Sequence, residues 1–475
     1  MDFHVSLAGR GDLSVRIYRQ LRDAVLDGRL RAGERLPPTR ELARRLAVSR
    51  NTVAVAYDRL TADGFLAGRV GAGTYVCAEL PAPKPRNAPS VRGPQPTAVW
   101  RALPPPAAEV MAAPEFDFRV GIPDATLFPL ETWRRLLARE LRDTAGFAHY
   151  AEPGGHPGLR AAIARHVGVS RSVRAGADDV LVTQGAQQAL DLLCRVLLEP
   201  GDRVAVEEPG YRMAKLLFAS HGAEVVGVPV DGEGLDVAAL SARTKLVYVT
   251  PSHQFPLGTP MSLARRTALL AWAERAGAVV VEDDYDSEFR FSDRPLEPLQ
   301  SLDRDGRVAY VGSFSKTLLP MLRLGFVIAP ASLRDALHHA RQLSGWHGDL
   351  PAQAALARFV DEGLFARHLR RATKVYADRH ERITTTLERV FTGRLSLVPS
   401  AAGLHLCALA EDGTEDGTDL EPIAARAREA GAAIQTLSDL CGGFPRQGVV
   451  LGYGSIASES IGAGLAVLDA AWGSA

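Results

Sequence analysis

The sequence lacks any apolar run approaching the roughly 18 residues that a membrane-spanning helix requires, and no continuous apolar segment of the secretory type stands at its N-terminus. Hydrophobic residues make up 46% of the chain and charged residues 23%. This balance predicts a soluble, cytoplasmic protein with no membrane partner. With 475 residues the chain is too long for one ordinary core, so two or three domains are expected.

Cysteine is scarce, and the four cysteines lie far apart in the sequence. Such scattering excludes a disulfide framework, and it also excludes the closely spaced ligands of a zinc cage. No metal site is therefore expected, and the cysteines should be small, buried apolar residues. They are Cys77, Cys194, Cys407 and Cys441.

The chain also lacks net charge, but this average hides a local asymmetry. Residues 1–76 contain thirteen arginines against eight acidic residues, an excess of five positive charges. A basic N-terminal module predicts a polyanion partner for that module alone. On charge alone, a solvated arginine-rich face is the alternative.

Residues 78–115 lack hydrophobic periodicity and contain ten prolines, at positions 81, 83, 85, 89, 94, 96, 104, 105, 106 and 114. Because proline interrupts helices and sheets, no packed element is expected there. We interpret the segment as an extended linker of limited flexibility. It divides an N-terminal module, residues 1–77, from a larger one, residues 116–475.

Three helices are expected in the first module. Apolar residues recur at helical spacing from Ile17 to Val25, and Gly28 predicts the end of the first helix. Thr39 is expected to cap the second helix, R-E-L-A-R-R-L, and Ser49 the third, R-N-T-V-A-V-A-Y-D-R-L. Two short helices joined by a tight turn predict a helix-turn-helix.

The run D-G-F-L-A-G-R-V-G-A-G-T-Y-V, residues 63–76, predicts a hairpin wing after the helix pair. In a helix-turn-helix the first residues of the second helix reach base edges, and Arg40 is placed to meet phosphate. The alternative is a polar helix start with ordinary turn glycines. The predicted DNA-contacting residues are Arg40, Ser49, Arg50, Asn51, Thr52 and Gly73.

Beyond the linker, short apolar runs alternate with amphipathic helical stretches, which predicts an α/β domain with a largely parallel sheet. A helix is expected from Ala186. Ligands of such domains bind at the carboxyl ends of the strands. The predicted strands are residues 180–183, 203–207, 224–228, 246–250 and 278–282.

Residues suited to pyridoxal 5'-phosphate follow these strands. An aldehyde cofactor with a pyridine ring needs an amine, a carboxylate for the ring nitrogen, a donor for the phenolic oxygen and an aromatic plate. Lys316 is expected to be the Schiff-base lysine, Asp283 the ring-nitrogen partner and Tyr285 the phenolic-oxygen donor. Tyr211 is a candidate plate, with core packing as its alternative, and Asp284 competes with Asp283.

The cofactor phosphate needs an anion cradle. The loop G-A-Q opens a helix, so its backbone amides and the helix dipole favour an anion. The segment G-S-F-S-K-T is not a nucleotide P-loop, because no glycine directly precedes its lysine. The predicted phosphate ligands are Gly185, Ala186, Gln187, Ser313, Ser315 and Arg323.

Motifs in both modules resemble known families. G-E-R-L-P-P-T-R-E-L-A, V-S-R-N-T-V and G-x-G-T-Y-V, within residues 14–76, resemble the winged helix of GntR-type regulators. Residues 116–470 resemble a fold-type I aminotransferase. In that part T-P-S-H-Q-F-P-L-G, E-D-D-Y-D-S-E-F-R and S-F-S-K-T-L-L-P-M-L-R-L-G are similar to forms seen in MocR/GabR-type transcriptional regulators.

The resemblance implies the cofactor roles already given, and it implies a homodimer in which Tyr150 reaches the phosphate of the neighbouring subunit's site. There are two departures from the aminotransferase pattern. Phe255 stands where aminotransferases have an asparagine that touches the phenolic oxygen, which argues against efficient turnover. Arg446 is the candidate for the arginine that grips a substrate carboxylate, although its register is one or two positions off and a solvated loop residue is the alternative.

The resemblance therefore implies a regulator that binds double-stranded promoter DNA and senses pyridoxal phosphate, an amino compound, or both. Its aminotransferase-like domain would be regulatory, with at most a residual half-reaction. One alternative is an aminotransferase tethered to DNA. Another is a DNA-binding dimer in which the aminotransferase fold is only a scaffold and Lys316 is vestigial.

Overall fold

The computed structural model describes residues 12–69, 73–77, 93–105, 114–142, 149–291, 297–411, 419–440 and 446–473. The chain divides into two compact units, Met1–Gln95 and Pro96–Ala475. Within the described ranges, no helix has the length and apolar character needed to cross a membrane. Cys194 and Cys407 are buried and Cys77 is half-buried, all three as reduced thiols, whereas Cys441 lies outside the described residues.

The first unit consists of three helices followed by a β-hairpin. Its core is formed by apolar residues from every element, among them Ile17, Leu42, Val53, Leu60 and Leu66, each less than a tenth exposed. The predicted helix-turn-helix and wing are therefore confirmed. The elements are α1 Leu13–Leu26, α2 Thr39–Leu46, α3 Arg50–Ala62, β1 Leu66–Arg69 and β2 Gly73–Val76.

One of the two predicted caps is confirmed and the other is wrong. Ser49 caps α3, since its Oγ accepts a hydrogen bond of 3.1 Å from the backbone N–H of Thr52. Thr39 does not cap α2, because it is already the first helical residue. Pro38 occupies the cap position, and its carbonyl accepts the N–H groups of Glu41 at 2.8 Å and Leu42 at 3.0 Å.

The wing is an antiparallel pair in which Leu66 lies opposite Val76 and Arg69 opposite Gly73. Gly73 has a φ of +113°, a left-handed conformation that favours glycine. A Cβ at this position would also lie 3.0 Å from Nε of Arg35. Glycine is thus required here by the backbone, whatever else the residue does.

The second unit contains thirteen helices and fourteen strands among its described residues. The helices are α4 Ala98–Ala102, α5 Leu130–Glu140, α6 Pro157–Arg171, α7 Ala186–Leu197, α8 Arg212–Ser220, α9 Leu263–Ala276, α10 Leu299–Leu302, α11 Arg334–Gly345, α12 Leu350–Asp361, α13 Leu364–Val390, α14 Leu420–Glu429, α15 Leu437–Leu440 and α16 Ile461–Gly473. The strands are β3 Phe116–Asp117, β4 Val180–Thr183, β5 Arg203–Glu208, β6 Glu224–Asp231, β7 Gly234–Leu235, β8 Thr244–Val249, β9 Val279–Asp284, β10 Val308–Ser313, β11 Gly325–Ile328, β12 Leu395–Leu397, β13 His405–Ala410, β14 Ala432–Ala433, β15 Gln435–Thr436 and β16 Gly448–Gly452.

The helix α4 corrects the expectation that no packed element forms between residues 78 and 115. It lies in the six-residue stretch T-A-V-W-R-A that separates Pro96 from Leu103, and no proline interrupts that stretch. The helix has no buried residue, so only its secondary structure contradicts the prediction. Most of the remaining segment lies outside the described residues.

Eight strands form the large sheet, in the order β4-β11-β10-β9-β8-β5-β6-β7. The five strands from β10 to β6 are mutually parallel, and β11 and β7 are antiparallel to their neighbours. Alternate residues of β9 enter different cores: Val281 packs with Leu193 of α7, and Val280 with Leu269 of α9. Both faces are thus covered by helices, which explains the nearly continuous apolar strands of the sequence.

A second, antiparallel sheet has the order β12-β13-β16-β15. Its residues Leu406 and Leu451 share a core with Tyr376 of α13 and Leu465 of α16. Short β3, near the start of the unit, pairs with β14. The segment after β3 then passes close to β16, where a Cβ on Gly452 would lie 2.2 Å from the Arg119 carbonyl.

Candidate functional site

A cavity of about 350 Å³ lies where the parallel strands β8, β9 and β10 end. One side, the sheet wall, comes from the large sheet and the loops that follow its strands. The other side, the second wall, comes from the segment after β3 and from the second sheet. The sheet wall consists of Ala186, Gln187, Tyr211, Tyr248, Thr250, Phe255, Asp283, Tyr285, Asp286, Ser313, Ser315, Lys316, Pro320 and Arg323, and the second wall of Val120, Gly121, Leu404, His405, Gln435 and Leu440.

Lys316 follows β10 and extends across the cavity to the second wall. Its Nζ donates a hydrogen bond of 2.6 Å to the backbone carbonyl of Gly121. Burial lowers the pKa of the amine, although the charges of Asp286 and Asp283 raise it in part. A lowered pKa increases the fraction of neutral, nucleophilic amine at a given pH.

Asp283, the residue before the last in β9, has one carboxylate oxygen without a partner. Its Oδ2 accepts a hydrogen bond of 2.8 Å from the Tyr248 hydroxyl. Its Oδ1 is buried and bonds to no group among the described residues. Burial, opposed by the Tyr248 hydrogen bond, raises the pKa of Asp283 to about 7. The site thus contains a buried carboxylate oxygen that lacks a hydrogen-bond donor.

The neighbouring Asp284 is in a different position. It does not line the cavity, and its Oδ2 accepts hydrogen bonds from Arg171 Nε at 2.8 Å and from the Tyr310 hydroxyl at 2.6 Å. Burial alone would raise the pKa of Asp284, but Arg171 and the hydrogen bonds it receives lower it below 3.8. Oδ1 of each aspartate is buried without a partner among the described residues, but only Asp283 is among the residues that line the cavity.

Three aromatic side chains meet at the sheet wall. The rings of Tyr211 and Tyr285 both lie edge-on to Phe255, with centroids 5.7 and 6.1 Å away. Tyr285 donates its hydroxyl to the His253 carbonyl at 3.0 Å. Phe255 therefore fills the space between two tyrosines with apolar surface, and it offers no side-chain donor to the cavity.

The predicted anion cradle lies at the start of α7. Ala186 and Gln187 line the cavity, and Gly185 precedes them with a φ of +84°. A Cβ on Gly185 would lie 3.0 Å from Arg323 Nη2, so glycine admits the arginine here. Arg323 donates to the Gln184 carbonyl at 2.6 Å, and Ser313 Oγ accepts from the Ser315 N–H at 3.1 Å. The structure therefore gathers all six predicted phosphate ligands, with Gly185 directly behind the lining.

Two predicted residues lie away from this cavity. Tyr150 is 78% exposed, and its ring lies 4.9 Å from that of Trp346. Arg446 is exposed, just before β16. Neither is among the residues that line the cavity of their own chain.

A buried cluster that the sequence did not indicate lies beside the cavity. His253 Nδ1 is 3.0 Å from Asp286 Oδ2, and the imidazoles of His253 and His405 are 4.6 Å apart. The three side chains place nitrogen and oxygen atoms within 4.8 Å of one another. His253 and Asp286 lie in the motifs T-P-S-H-Q-F-P-L-G and E-D-D-Y-D-S-E-F-R, whereas His405 comes from the second sheet. No local sequence pattern therefore places His405 beside the other two.

In the first unit, the predicted DNA-contacting residues lie on three elements: Arg40 on α2, Ser49 to Thr52 at the start of α3, and Gly73 on β2. Arg40, Arg50 and Asn51 are exposed, and neither arginine has an ion-pair partner in the described part of the chain. Thr52 is half-buried, and its Oγ1 lies 2.7 Å from Ser49 Oγ. Ser49 is thus engaged as a helix cap, whereas the two arginines are available to an anionic partner.

Both units match known families. The model of class I and II aminotransferases matches residues 115–414, and that of bacterial regulatory proteins of the gntR family matches residues 13–76. The probable rhizopine catabolism regulatory protein MocR of Rhizobium meliloti is 39% identical, over 96% of this chain and 93% of that protein. The pyridoxine biosynthesis regulator PdxR of Corynebacterium glutamicum is 32% identical, over 93% and 92%.

Solved aminotransferases share the fold of the second unit. A kynurenine aminotransferase of Pyrococcus horikoshii has a TM-score of 0.70 and 27% identity, and the match covers 80% of this chain and 98% of that one. An α-aminoadipate aminotransferase of Thermus thermophilus, solved with N-(5'-phosphopyridoxyl)-L-leucine, has a TM-score of 0.68 and 30% identity, over 75% and 92%. With the helix-turn-helix and the full-length relatives, these matches show that the chain belongs to the MocR/GabR-type DNA-binding transcriptional regulators, which join a GntR-type domain to an aminotransferase-like domain.

Proposed function

We propose that residues 116–475 bind pyridoxal 5'-phosphate, and that the bound cofactor lets the protein sense an amino compound, the cofactor itself, or both. Residues 1–77 bind double-stranded promoter DNA, with residues 78–115 as the linker. The names of the relatives support this reading, because one refers to the catabolism of a small molecule and another to pyridoxine biosynthesis. In this proposal the second unit binds the sensed ligand and the first unit binds DNA.

The observation that carries the proposal is the unpartnered Oδ1 of Asp283. Asp283 Oδ1 would accept a hydrogen bond from the protonated pyridine nitrogen of the cofactor. This charge-assisted bond would stabilise the ionised carboxylate, whose pKa is raised to about 7 mainly by burial. Asp283 therefore suits the ring-nitrogen partner in both geometry and charge.

Other residues of the sheet wall fit the remaining parts of the cofactor. The amides at Ala186 and Gln187, the hydroxyls of Ser313 and Ser315 and the guanidinium of Arg323 offer the donors and the positive charge that a phosphate needs. Tyr211 and Tyr285 offer an aromatic surface and a hydroxyl on the same wall. The Tyr285 hydroxyl, which donates to the His253 carbonyl in this structure, would be the donor to the phenolic oxygen of the cofactor.

Lys316 is the residue that would hold the cofactor covalently. When bound, pyridoxal phosphate supplies an aldehyde that condenses with primary amines. Burial lowers the pKa of Lys316, which favours the neutral amine that such a reaction requires. The Gly121 carbonyl orients this amine across the cavity.

A regulatory role for the second unit is favoured over turnover. Phe255 places a ring without a donor where aminotransferases use asparagine, so the phenolic oxygen has one hydrogen bond fewer. The observation that supports the alternative, an aminotransferase tethered to DNA, is the likeness of the fold to aminotransferases at TM-scores near 0.70. Steady-state transamination at about 1 per second or faster would establish the alternative.

A homodimer completes the proposal. Tyr150, with Trp346 beside it, presents exposed aromatic surface that a second copy would cover. In such a dimer Tyr150 reaches the phosphate of the neighbouring site. Arg446 is retained as the candidate for the residue that binds a ligand carboxylate.

The test combines absorbance with DNA binding. The purified chain is loaded with pyridoxal phosphate, freed of excess cofactor, and titrated with a panel of amines while the visible band and the affinity for the DNA upstream of its own gene are followed. We expect a retained visible band, which amines alter together with DNA affinity. If DNA affinity stays constant with every amine and with cofactor removed, the sensing proposal is wrong.

A further inference from the structure

The wing of the first unit is extended by a third segment of extended chain, residues 33–36, which lies along β2. The N–H of Leu36 donates to the Thr74 carbonyl at 2.9 Å, and Arg35 forms an antiparallel bridge with Tyr75. Side chains of an extended segment alternate between its two faces. Leu36 is 3% exposed and packs in the core, so Arg35 lies on the opposite, solvent face.

The guanidinium of Arg35 lies against the backbone of Gly73. A Cβ on Gly73 would be 3.0 Å from Nε of Arg35 and 3.3 Å from Nη2. These distances are short enough that a side chain at position 73 would displace the guanidinium. The absence of a side chain at Gly73 therefore allows Arg35 to occupy this position on the wing.

Arg35 carries an exposed charge that no other described residue of the chain neutralises. No ion pair or hydrogen bond joins its guanidinium to the part of the protein that the structure describes. Other exposed arginines of the same unit are paired, Arg29 with Asp27 and Arg45 with Glu41. The planar fork of N–H donors on a guanidinium suits a phosphate, so Arg35 is available to an anionic partner.

Two residues already predicted to contact DNA flank Arg35. One is Gly73, against which the guanidinium lies, and the other is Arg40, five residues further along the chain. Five residues span at most about 18 Å. The Pro37 carbonyl between the two arginines accepts a hydrogen bond of 2.9 Å from the Tyr57 hydroxyl of α3. The segment that carries Arg35 is thus joined to the wing on one side and to the helix-turn-helix on the other.

We infer that Arg35 contacts a phosphate of the bound DNA and that Gly73 is the positioning residue that seats its guanidinium on the wing. Phosphate contacts fix the orientation of a protein on the duplex and carry no sequence information directly. Arg35 therefore orients the wing, while the start of α3 reads the bases. The inference rests on the binding of DNA by residues 1–77.

Arg35→Gln tests the inference, because it removes the charge and keeps a polar side chain. The full-length protein is titrated with the DNA upstream of its own gene and with an unrelated duplex of equal length, at three salt concentrations. The slope of log affinity against log salt should decrease by about 1. Affinity at 0.1 M salt should fall roughly five- to tenfold on both duplexes, because one counterion fewer is released.

Two further variants separate charge from packing. Arg35→Lys keeps the charge and should keep the salt slope of the wild type. Arg19→Gln, which changes an exposed arginine of α1, is the matched control and should also keep a slope close to the wild-type value. If Arg35 only packed on the wing, both Arg35 variants would melt at a lower temperature and bind more weakly with an unchanged slope, and the inference would be overturned.

Gly73→Ala tests the positioning role in two backgrounds. In the wild type it should lower the salt slope as Arg35→Gln does, whereas in the Arg35→Gln background it should lower the slope no further. Equal decreases in both backgrounds overturn the role of Gly73, and an unchanged slope in Arg35→Gln overturns the role of Arg35. If the wild-type protein binds neither duplex, the DNA-binding function itself is wrong and the inference falls with it.

Discussion

The start of α3 and the cavity of the second unit are suited to their ligands by different physical features, exposed charge in the first and buried unsatisfied atoms in the second. At the start of α3, Arg50 and nearby Arg40 are exposed and carry charge without a partner in the described residues. In the cavity, Asp283 and His405 are buried and hold single atoms without a hydrogen-bond partner. Exposed charge attracts over a distance and is weakened by salt, whereas a buried unsatisfied atom discriminates between ligands at contact.

Lys316→Ala is expected to have the largest effect, and it should change cofactor binding in the cavity without changing DNA binding at the start of α3. The variant lacks the amine that holds the cofactor covalently, so the visible band after removal of excess pyridoxal phosphate should disappear. Binding of promoter DNA without any amine should stay within twofold of wild type, because the start of α3 is unchanged. Absorbance and a DNA titration check both results, and a retained band would contradict the role of Lys316.

The next effect is expected from Asp283→Asn, which has opposite consequences for affinity and stability. Loss of the carboxylate should weaken pyridoxal phosphate binding by roughly tenfold or more, since a charge-assisted bond to a buried group is removed. The cofactor-free variant should nevertheless melt at a higher temperature than wild type at pH 8, because no buried carboxylate has to ionise.

The pH dependence of that stability gain follows from the pKa of Asp283. The carboxyl ionises at about 7 in the folded protein, against 3.8 ordinarily, so the folded state holds the proton over this interval. Wild-type stability relative to the variant is therefore highest near pH 4, falls up to pH 7 and is constant above it. A gain in melting temperature that is independent of pH between 4 and 7 would contradict the raised pKa.

Arg50→Ala tests the start of α3 as Lys316→Ala tests the cavity. Loss of one arginine contact to a base should reduce affinity for the specific promoter site by about 1–3 kcal/mol, or roughly 5- to 150-fold. The visible band of the bound cofactor should be unchanged. Arg19→Ala, an exposed arginine on α1, is the matched control with a smaller expected effect. If Arg50→Ala also abolished cofactor binding, the separation of the two regions would be wrong.

A contact to DNA phosphate affects binding differently from a contact to a base, and Arg40→Ala tests for such a phosphate contact. Affinity should fall by a similar factor on specific and unrelated DNA, because phosphate carries no sequence information. The slope of log affinity against log salt should decrease by about 1. Titrations at three salt concentrations measure this slope, and an unchanged slope would exclude a phosphate role for Arg40.

The smallest effect is expected from Ser49→Ala. Its hydroxyl caps α3, and loss of such a cap costs about 1 kcal/mol. The first unit should lose stability by that amount, while cofactor binding stays the same. Ser49→Asp keeps an N-cap acceptor and should restore stability, and its failure to do so would indicate that Ser49 has another role.

The sequence was sufficient where function depends on contiguous residues. Asp283, Ser313 and Lys316 end strands or follow them directly, so locating the strands also located these side chains at one sheet edge. Ser49 was recognised as a cap by the same local logic. The first residue of α2 was misplaced by one, since the Pro38 carbonyl begins the helical hydrogen bonding before any side-chain cap is needed.

The second wall of the cavity was not predictable in this way. Gly121, His405 and Gln435 come from distant segments, and they meet only because the second sheet folds back over the end of the large one. Nothing in the sequence around His405 distinguishes it from a histidine at the start of an ordinary strand.

The hydrogen bond from Lys316 to Gly121 links the chemical state of the lysine amine to the backbone of the opposite wall. Gly121 belongs to the segment that enters the second unit directly after the linker, and its carbonyl receives the lysine amine at 2.6 Å. A lysine nitrogen bonded to a second carbon would carry fewer hydrogens, so covalent engagement of the amine would weaken or remove this hydrogen bond. The chemical state of Lys316 would then be felt by the segment that follows the linker in sequence.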